Sequence, residues 1–297
     1  MHGVLDALQF IFAPQIVNGL SIGVAVILMA LGLTIIFGLL DVINMAHGEF
    51  YAFGAYLAVT LLAAGVSFWL CLIVVPLLML PLGYVVERGL IQRVFDGKDR
   101  HVLTLLLTFG LGVVLEDAFR LAFGPNTLRV ETPIGGAADV FGMYFPNYRL
   151  FMMAVGAAII AAVWMVVFRT RIGAMVRAAA HDREMASSLG VPVARVYSAT
   201  FAFGTGLAGL AGVLLAPIYS VFPTMGKDFI LLAFTVVIVG GMGSIKGAVV
   251  AGLVLMQIQA LASLYISPVW TEPLLFGVMV LVLMWRPQGL FGKLGHD

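Results

Sequence analysis

Long apolar runs alternate with short polar intervals along the whole chain. Apolar residues dominate about Ile16–Leu40, Phe50–Ala64, Trp69–Val86, His101–Phe123 and Leu150–Phe168. They return at about Val196–Ala216, Phe229–Val239, Ala248–Ser263 and Glu272–Trp285. Runs of this kind predict membrane-crossing helices, because lipid offers the backbone no hydrogen-bond partners and helices satisfy their own. A span needs roughly 20 apolar residues, and several runs fall short, so the pattern predicts about eight to ten spans. The expected fold class is all-α: one polytopic transmembrane helical bundle over residues 1–297. Pro76 and Pro81 lie inside the third run and predict a kink or an interruption, so some helices are expected to be discontinuous.

Composition agrees. Hydrophobic residues make up 62% and charged residues 10% of the 297, too little charge to cover a soluble domain. The formal net charge of +1 says nothing about partners, and no nucleic-acid partner is expected. Cys71 is the single cysteine and lies in an apolar run, so no disulfide framework or cysteine-based metal site is expected. The first residues lack a cationic stretch and a small-residue cleavage signal, so the first apolar run is expected to stay in the membrane.

The distribution of cations is more informative than their sum. Arg169–Arg195 is the longest polar, cation-rich interval and carries five of the sixteen Lys and Arg. Such an interval between spans belongs on the cytoplasmic face. Its apolar positions, Ile172, Met175, Ala179, Ala186 and Leu189, recur at helical spacing, with Arg177, His181 and Glu184 on a more polar face. Gly190 and Pro192 punctuate its end. The segment reads either as a solvated helix that only fixes orientation or as a docking helix for a soluble protein. Nine alternating runs put the N-terminus outside and the C-terminus inside. That arrangement leaves twelve of the sixteen cations inside, Lys98 and Lys293 among them, and Arg120, Arg129, Arg149 and Lys227 outside.

Three polar stretches interrupt apolar sequence. Asp41–Glu49 places Asp41, Asn44, His47 and Glu49 between two runs of marginal length. Charges at membrane depth are costly unless paired, hydrated or facing a cavity. One account is a broken helix whose backbone lines a polar cavity; the other is a tight cytoplasmic turn with capping side chains. His47 and Glu49 have no second histidine at metal-ligand spacing, so no metal is expected there. Gly240–Gly247, GGMGSIKG, does not match the phosphate-cradling pattern, and its glycines read as a sharp turn or close helix contact. It also separates two apolar runs as Asp41–Glu49 does, which suggests two related halves. Glu116 and Asp117 fall late in the fourth run, with Arg120 one turn from each as a partner. With no hydrolytic triad, cofactor fold or nucleotide motif, the sequence points to transport rather than catalysis.

Leu31–Tyr56 (LGLTIIFGLLDVINMAHGEFYAFGAY) resembles the signature of permease subunits of branched-chain amino acid ABC importers. Ala179–Val193 (AAHDREMASSLGVPV) is similar to their ATPase-docking segment, and Val236–Gly252 and Met284–Gly292 resemble further family patterns. The resemblance covers essentially the whole chain and is nearer the shorter of the two permease types. It implies an inner-membrane complex with a second permease, two cytoplasmic ATPases and a periplasmic substrate-binding protein. ATP and magnesium would be used by the ATPases, with no catalytic residue or cofactor in this chain. It places docking at Gly173, Arg177, Arg183, Glu184 and Gly190, and the translocation path near Asp41, Asn44, His47, Glu49, Gly241 and Gly243. The cargo implied is a branched-chain amino acid. Urea or short-chain amides in the same architecture, an ion-coupled transporter and a recruiting scaffold are the competing readings.

Overall fold

A computed structural model describes residues 12–95, 99–140 and 143–292; Lys98 and Lys293 lie outside the described residues. Every one of the nine apolar runs is helical. In chain order the elements are α1 (Ala13–Leu40), α2 (His47–Ala63) and α3 (Phe68–Val86), which continues through a π-turn (Glu87–Ile91) into α4 (Gln92–Phe95). Then come α5 (Arg100–Phe123), strands β1 (Ala137–Val140) and β2 (Met143–Pro146), α6 (Asn147–Arg169), α7 (Arg171–His181) and α8 (Arg183–Ser188). α9 (Val193–Leu215), α10 (Met225–Gly240), α11 (Ile245–Ala262) and α12 (Pro268–Trp285) complete the bundle. Among the described residues six helices are long and apolar enough to cross a membrane; α2 and α10 are shorter, and α12 contributes the shorter apolar stretch Val269–Trp285. The strands form a small antiparallel hairpin, with Ala137 opposite Pro146, at the end of the bundle opposite α7 and α8. α3 runs unbroken through Pro76 and Pro81; the irregular geometry comes later, at the π-turn.

α1 and α9 form the centre and are buried along most of their length. Small residues allow this. A Cβ on Gly32 would meet the Gly204 carbonyl, and one on Gly204 would meet the side chain of Ile36 at 2.7 Å. α2 lies against α9 where a Cβ on Gly54 would strike the Gly209 backbone and one on Gly212 the Tyr51 carbonyl. Backbones this close gain dispersion contacts that bulky side chains would prevent. α3, α5, α6 and α12 present large apolar side chains outward, among them Ile73, Leu77, Leu106, Val114, Met165 and Leu281, as a lipid-facing surface requires.

The helix directions reveal an internal inverted repeat. α1, α2 and α3 correspond to α9, α10 and α11 with opposite direction across the bundle. α1 packs on α11 as α9 packs on α3, and α1 packs on α10 as α9 packs on α2. The counterpart of the break between α1 and α2 is therefore the segment between α9 and α10, residues 216–224. The suggested counterpart, Gly240–Gly247, is instead the tight turn between α10 and α11. There Ser244 caps α11 by accepting a hydrogen bond from Gly247 N (3.1 Å), because four residues suffice to reverse two adjacent helices.

Candidate functional site

The stretch after Leu40 turns back into the bundle. Asp41 ends α1 in the left-handed region (φ +53°), its N–H donating to the Phe37 carbonyl at 2.8 Å. Residues 41–44 are not helical, and α2 starts at His47 beside the middle of α1. His47 Nε2 donates to the Met29 carbonyl at 3.1 Å, which leaves Nδ1 as a buried acceptor without a partner among the described residues. Met29 lies about 16 Å along the axis from Leu40, at 1.5 Å per residue. Asp41–Ala46 therefore climbs from one end of the bundle to mid-depth, and α2, 17 residues long, starts inside the bundle. The break is that of the broken-helix account and a tight turn at the end of the bundle is excluded, although the surroundings are mostly apolar rather than a polar cavity. Non-helical backbone at this depth needs partners, and α5 supplies one: Thr108 Oγ1 accepts from Met45 N (3.1 Å) and lies 3.3 Å from the Ile43 carbonyl. Asn44 Oδ1 accepts from Ala46 N at 3.1 Å.

α10 begins at the same depth from the opposite direction. A Cβ on Gly48 would meet the Gly226 carbonyl, and one on Gly226 would lie 2.5 Å from Oε1 of Glu49. Two helix N-termini thus converge on one point. Glu49 is 3% exposed, and its Oε2 has no hydrogen-bond partner among the described residues. It lies against Gly112, halfway along α5. Beside it is a cavity of about 230 Å³, open on one side, lined by Met45, Glu49, Phe109, Gly112, Val113, Lys227, Ile230 and Leu231, of which Phe109 and Leu231 are exposed. Lys227, expected in an outer loop, belongs to the first turn of α10 and forms an ion pair with Glu116. Glu116, 5% exposed, also receives Arg120 at 2.9 Å, and Arg120 reaches Asp117 at 3.3 Å, the partnership the spacing suggested.

The candidate path residues separate into two groups. Asn44, His47 and Glu49 are buried at mid-depth. Asp41 is exposed at the end of α1, 3.4 Å from Arg100 and 3.6 Å from His101. Gly241 (φ +102°) and Gly243 (φ +78°) lie in the α10–α11 turn, Gly243 against Gly38 and Gly241 against Gly292 of the tail. The tail is held there by Leu290 N to Val239 O (2.8 Å) and Phe291 N to Gly240 O (3.0 Å). Their glycine identity answers to turn geometry, and neither lines the cavity. Thr108, Gly112 and Lys227 were missed because a lone Thr or Gly in an apolar run and a Lys after a loop-like Thr-Met-Gly carry no distinguishing pattern.

The segment read as one docking helix is two, broken at Asp182, whose Oδ1 accepts from Met185 N (2.9 Å) and caps α8. Gly173 is buried against the Val167 carbonyl, and its N–H donates to Thr170 Oγ1 at 3.1 Å. Arg177 donates to the Val167 carbonyl and lies over the Phe168 ring, closing the end of α6. Arg183 lies over the Tyr197 ring of α9 at 5.6 Å, and Glu184 is exposed. Gly190 ends the segment with φ +84°. Ala179 and Ala186 face the bundle as the periodicity predicts, whereas Ile172, Met185 and Leu189 point outward, being 62%, 59% and 77% exposed. Broken in two, the segment has no single apolar stripe.

Six long apolar helices among the described residues, two shorter ones that start inside the bundle, and an internal inverted repeat define a multi-pass membrane protein. The chain belongs to the family described as the permease component of the branched-chain amino acid transport system, which it matches over residues 15–284. It is 31% identical to the high-affinity branched-chain amino acid transport system permease protein LivH of Salmonella typhimurium, over 96% of this chain and 97% of that one. It is also 31% identical to BraD of Pseudomonas aeruginosa, over 95% and 96% of the two chains. Similarity to LivM of Escherichia coli is lower, 26% over 89% of this chain and 67% of that protein. In fold it resembles PsaBC from Streptococcus pneumoniae, solved in complex with Fab, with a TM-score of 0.53, 14% identity and 98% of both chains covered.

Proposed function

We propose that this chain is a non-catalytic permease subunit of an ATP-driven importer that carries branched-chain amino acids across a bacterial inner membrane. The observation that carries the reading is full-length similarity to LivH and BraD, both named as high-affinity branched-chain amino acid permeases. Similarity to LivM as well, itself named a permease of such a system, supports a second permease of related sequence as the partner. Two cytoplasmic ATPases and a periplasmic binding protein complete the assembly, ATP and magnesium being used by the ATPases. The cations of α7, α8 and their flanks favour the cytoplasmic side for that end, with the N-terminus outside. There the outward side chains of Ile172, Met185 and Leu189 offer an ATPase an apolar contact ringed by charge. Closure of the ATPases would move α7 and α8, and with them α6 and α9, to which they are joined. Small sliding shifts of packed helices are an established way to switch access.

The test is substrate-stimulated ATP hydrolysis by the chain co-reconstituted with the permease, ATPases and binding protein encoded beside it. Stimulation by leucine or valine is expected. Stimulation by urea alone would keep the mechanism and replace the cargo, and uptake that needs no ATPase would end the ABC reading.

A further inference from the structure

The mid-depth cavity contains more charge chemistry than passage of an aliphatic side chain requires. Glu49 is almost fully buried, lines the cavity and keeps one carboxylate oxygen without a partner among the described residues. An anion held this way at membrane depth is costly unless a cation reaches it. Its charged neighbours are Glu116, Lys227 and Asp228, so the carboxylates outnumber the ammonium. Lys227 lines the same cavity, and its partner Glu116 is held independently by Arg120. Lys227 can therefore turn to another anion without leaving Glu116 unpaired. The rest of the lining, from α5, α10 and Met45 of the break, is apolar.

We infer that this cavity is a transit site for a zwitterionic α-amino acid, with Glu49 receiving the ammonium group, Lys227 the carboxylate, and the apolar wall the aliphatic side chain. The inference rests on the importer reading above. At about 230 Å³ the cavity is smaller than the roughly 300–1,000 Å³ of drug-sized pockets and suits a small metabolite. The first turn of α10 adds the partial positive charge of a helix N-terminus on the side where the carboxylate would lie. A neutral cargo such as urea would leave the Glu49 carboxylate unanswered.

The complete transporter with its binding protein is placed in proteoliposomes, and leucine uptake is measured alongside ATP hydrolysis. With Glu49→Gln, hydrolysis stimulated by loaded binding protein is expected to persist while uptake falls about tenfold or more, as loss of a charged hydrogen bond predicts. Glu49→Asp should recover part of the uptake. Gly112→Leu should block uptake by filling the cavity, since a Cβ there makes only ordinary contact, 3.7 Å from Glu49 Cγ. Independently of any variant, a diazirine analogue of leucine delivered to the wild-type complex should label α5 or α10 peptides around Phe109–Val113 or Ile230–Leu231. Undiminished leucine uptake by Glu49→Gln, or labelling confined to other helices, would overturn the site and leave the importer standing. A wild-type complex that carries urea and no amino acid would overturn the site and the amino-acid cargo together, leaving the ATP-driven mechanism.

Discussion

Gly48 in the first turn of α2 lies against the carbonyl of Gly226 in the first turn of α10, so two helices of opposite direction begin at one point inside the bundle. The contact fixes the depth of Glu49, one residue along α2, and of Lys227, one residue along α10. No side chain fits between these backbones.

Gly48→Val should therefore push α2 and α10 apart. Overpacking of a close contact costs about 1–3 kcal/mol or more, here concentrated where neither helix can retreat. Thermal unfolding of the purified complex should show a clear loss, and insertion yield should fall. Gly110→Ala on α5 meets nothing within 4 Å and should stay within about 0.5 kcal/mol of the parent, the usual range for an open position.

Thr108 holds the backbone of the intramembrane break. Thr108→Val keeps the shape and removes the hydroxyl, leaving Met45 N–H without its acceptor at a depth where water is scarce. A buried group stripped of its partner costs about 1–3 kcal/mol. Thr108→Ser should restore most of the loss, and unfolding of the two variants side by side measures the difference.

In the proposed docking segment, contact and support fall on different residues. Leu189 is exposed, so Leu189→Glu should reduce co-purification of the ATPase while leaving thermal stability almost unchanged. Arg177 closes the end of α6 through the Val167 carbonyl and Phe168. Arg177→Glu should lower the stability of the permease itself as well as ATPase retention. Equal ATPase retention by Leu189→Glu and the parent would remove that side chain from the interface.

The nine apolar runs were legible as helices because lipid demands long apolar runs, and Arg169–Arg195 as a polar end of the bundle because its cations have no other place. Depth was not legible. Asp41–Glu49 has the same residue spacing whether it turns at the surface or climbs to Met29, and only the packing of α1 decides. α10 starts at Met225, ahead of its apolar run, because Gly226, Lys227 and Asp228 look like loop until Gly48 and Glu49 are set against them. The repeat was suspected from the wrong pair of breaks. Its true counterparts, Asp41–Ala46 and residues 216–224, share a place in the fold and no visible pattern of residues.

The glycine contacts of α1, α2 and α9 have a mechanical consequence. Where Gly32 faces Gly204 and Gly54 faces Gly209, backbone meets backbone, and these glycines carry no side chain of their own to seat in the facing helix. Such a seam resists being pulled open, since every atom is in contact, yet it presents little to lock one helix to a fixed rung of the next. The middle of this bundle is built as a plain bearing, and its stops lie elsewhere: in the Glu116–Lys227 pair, in His47 on Met29, and in the tail strapped across the α10–α11 turn.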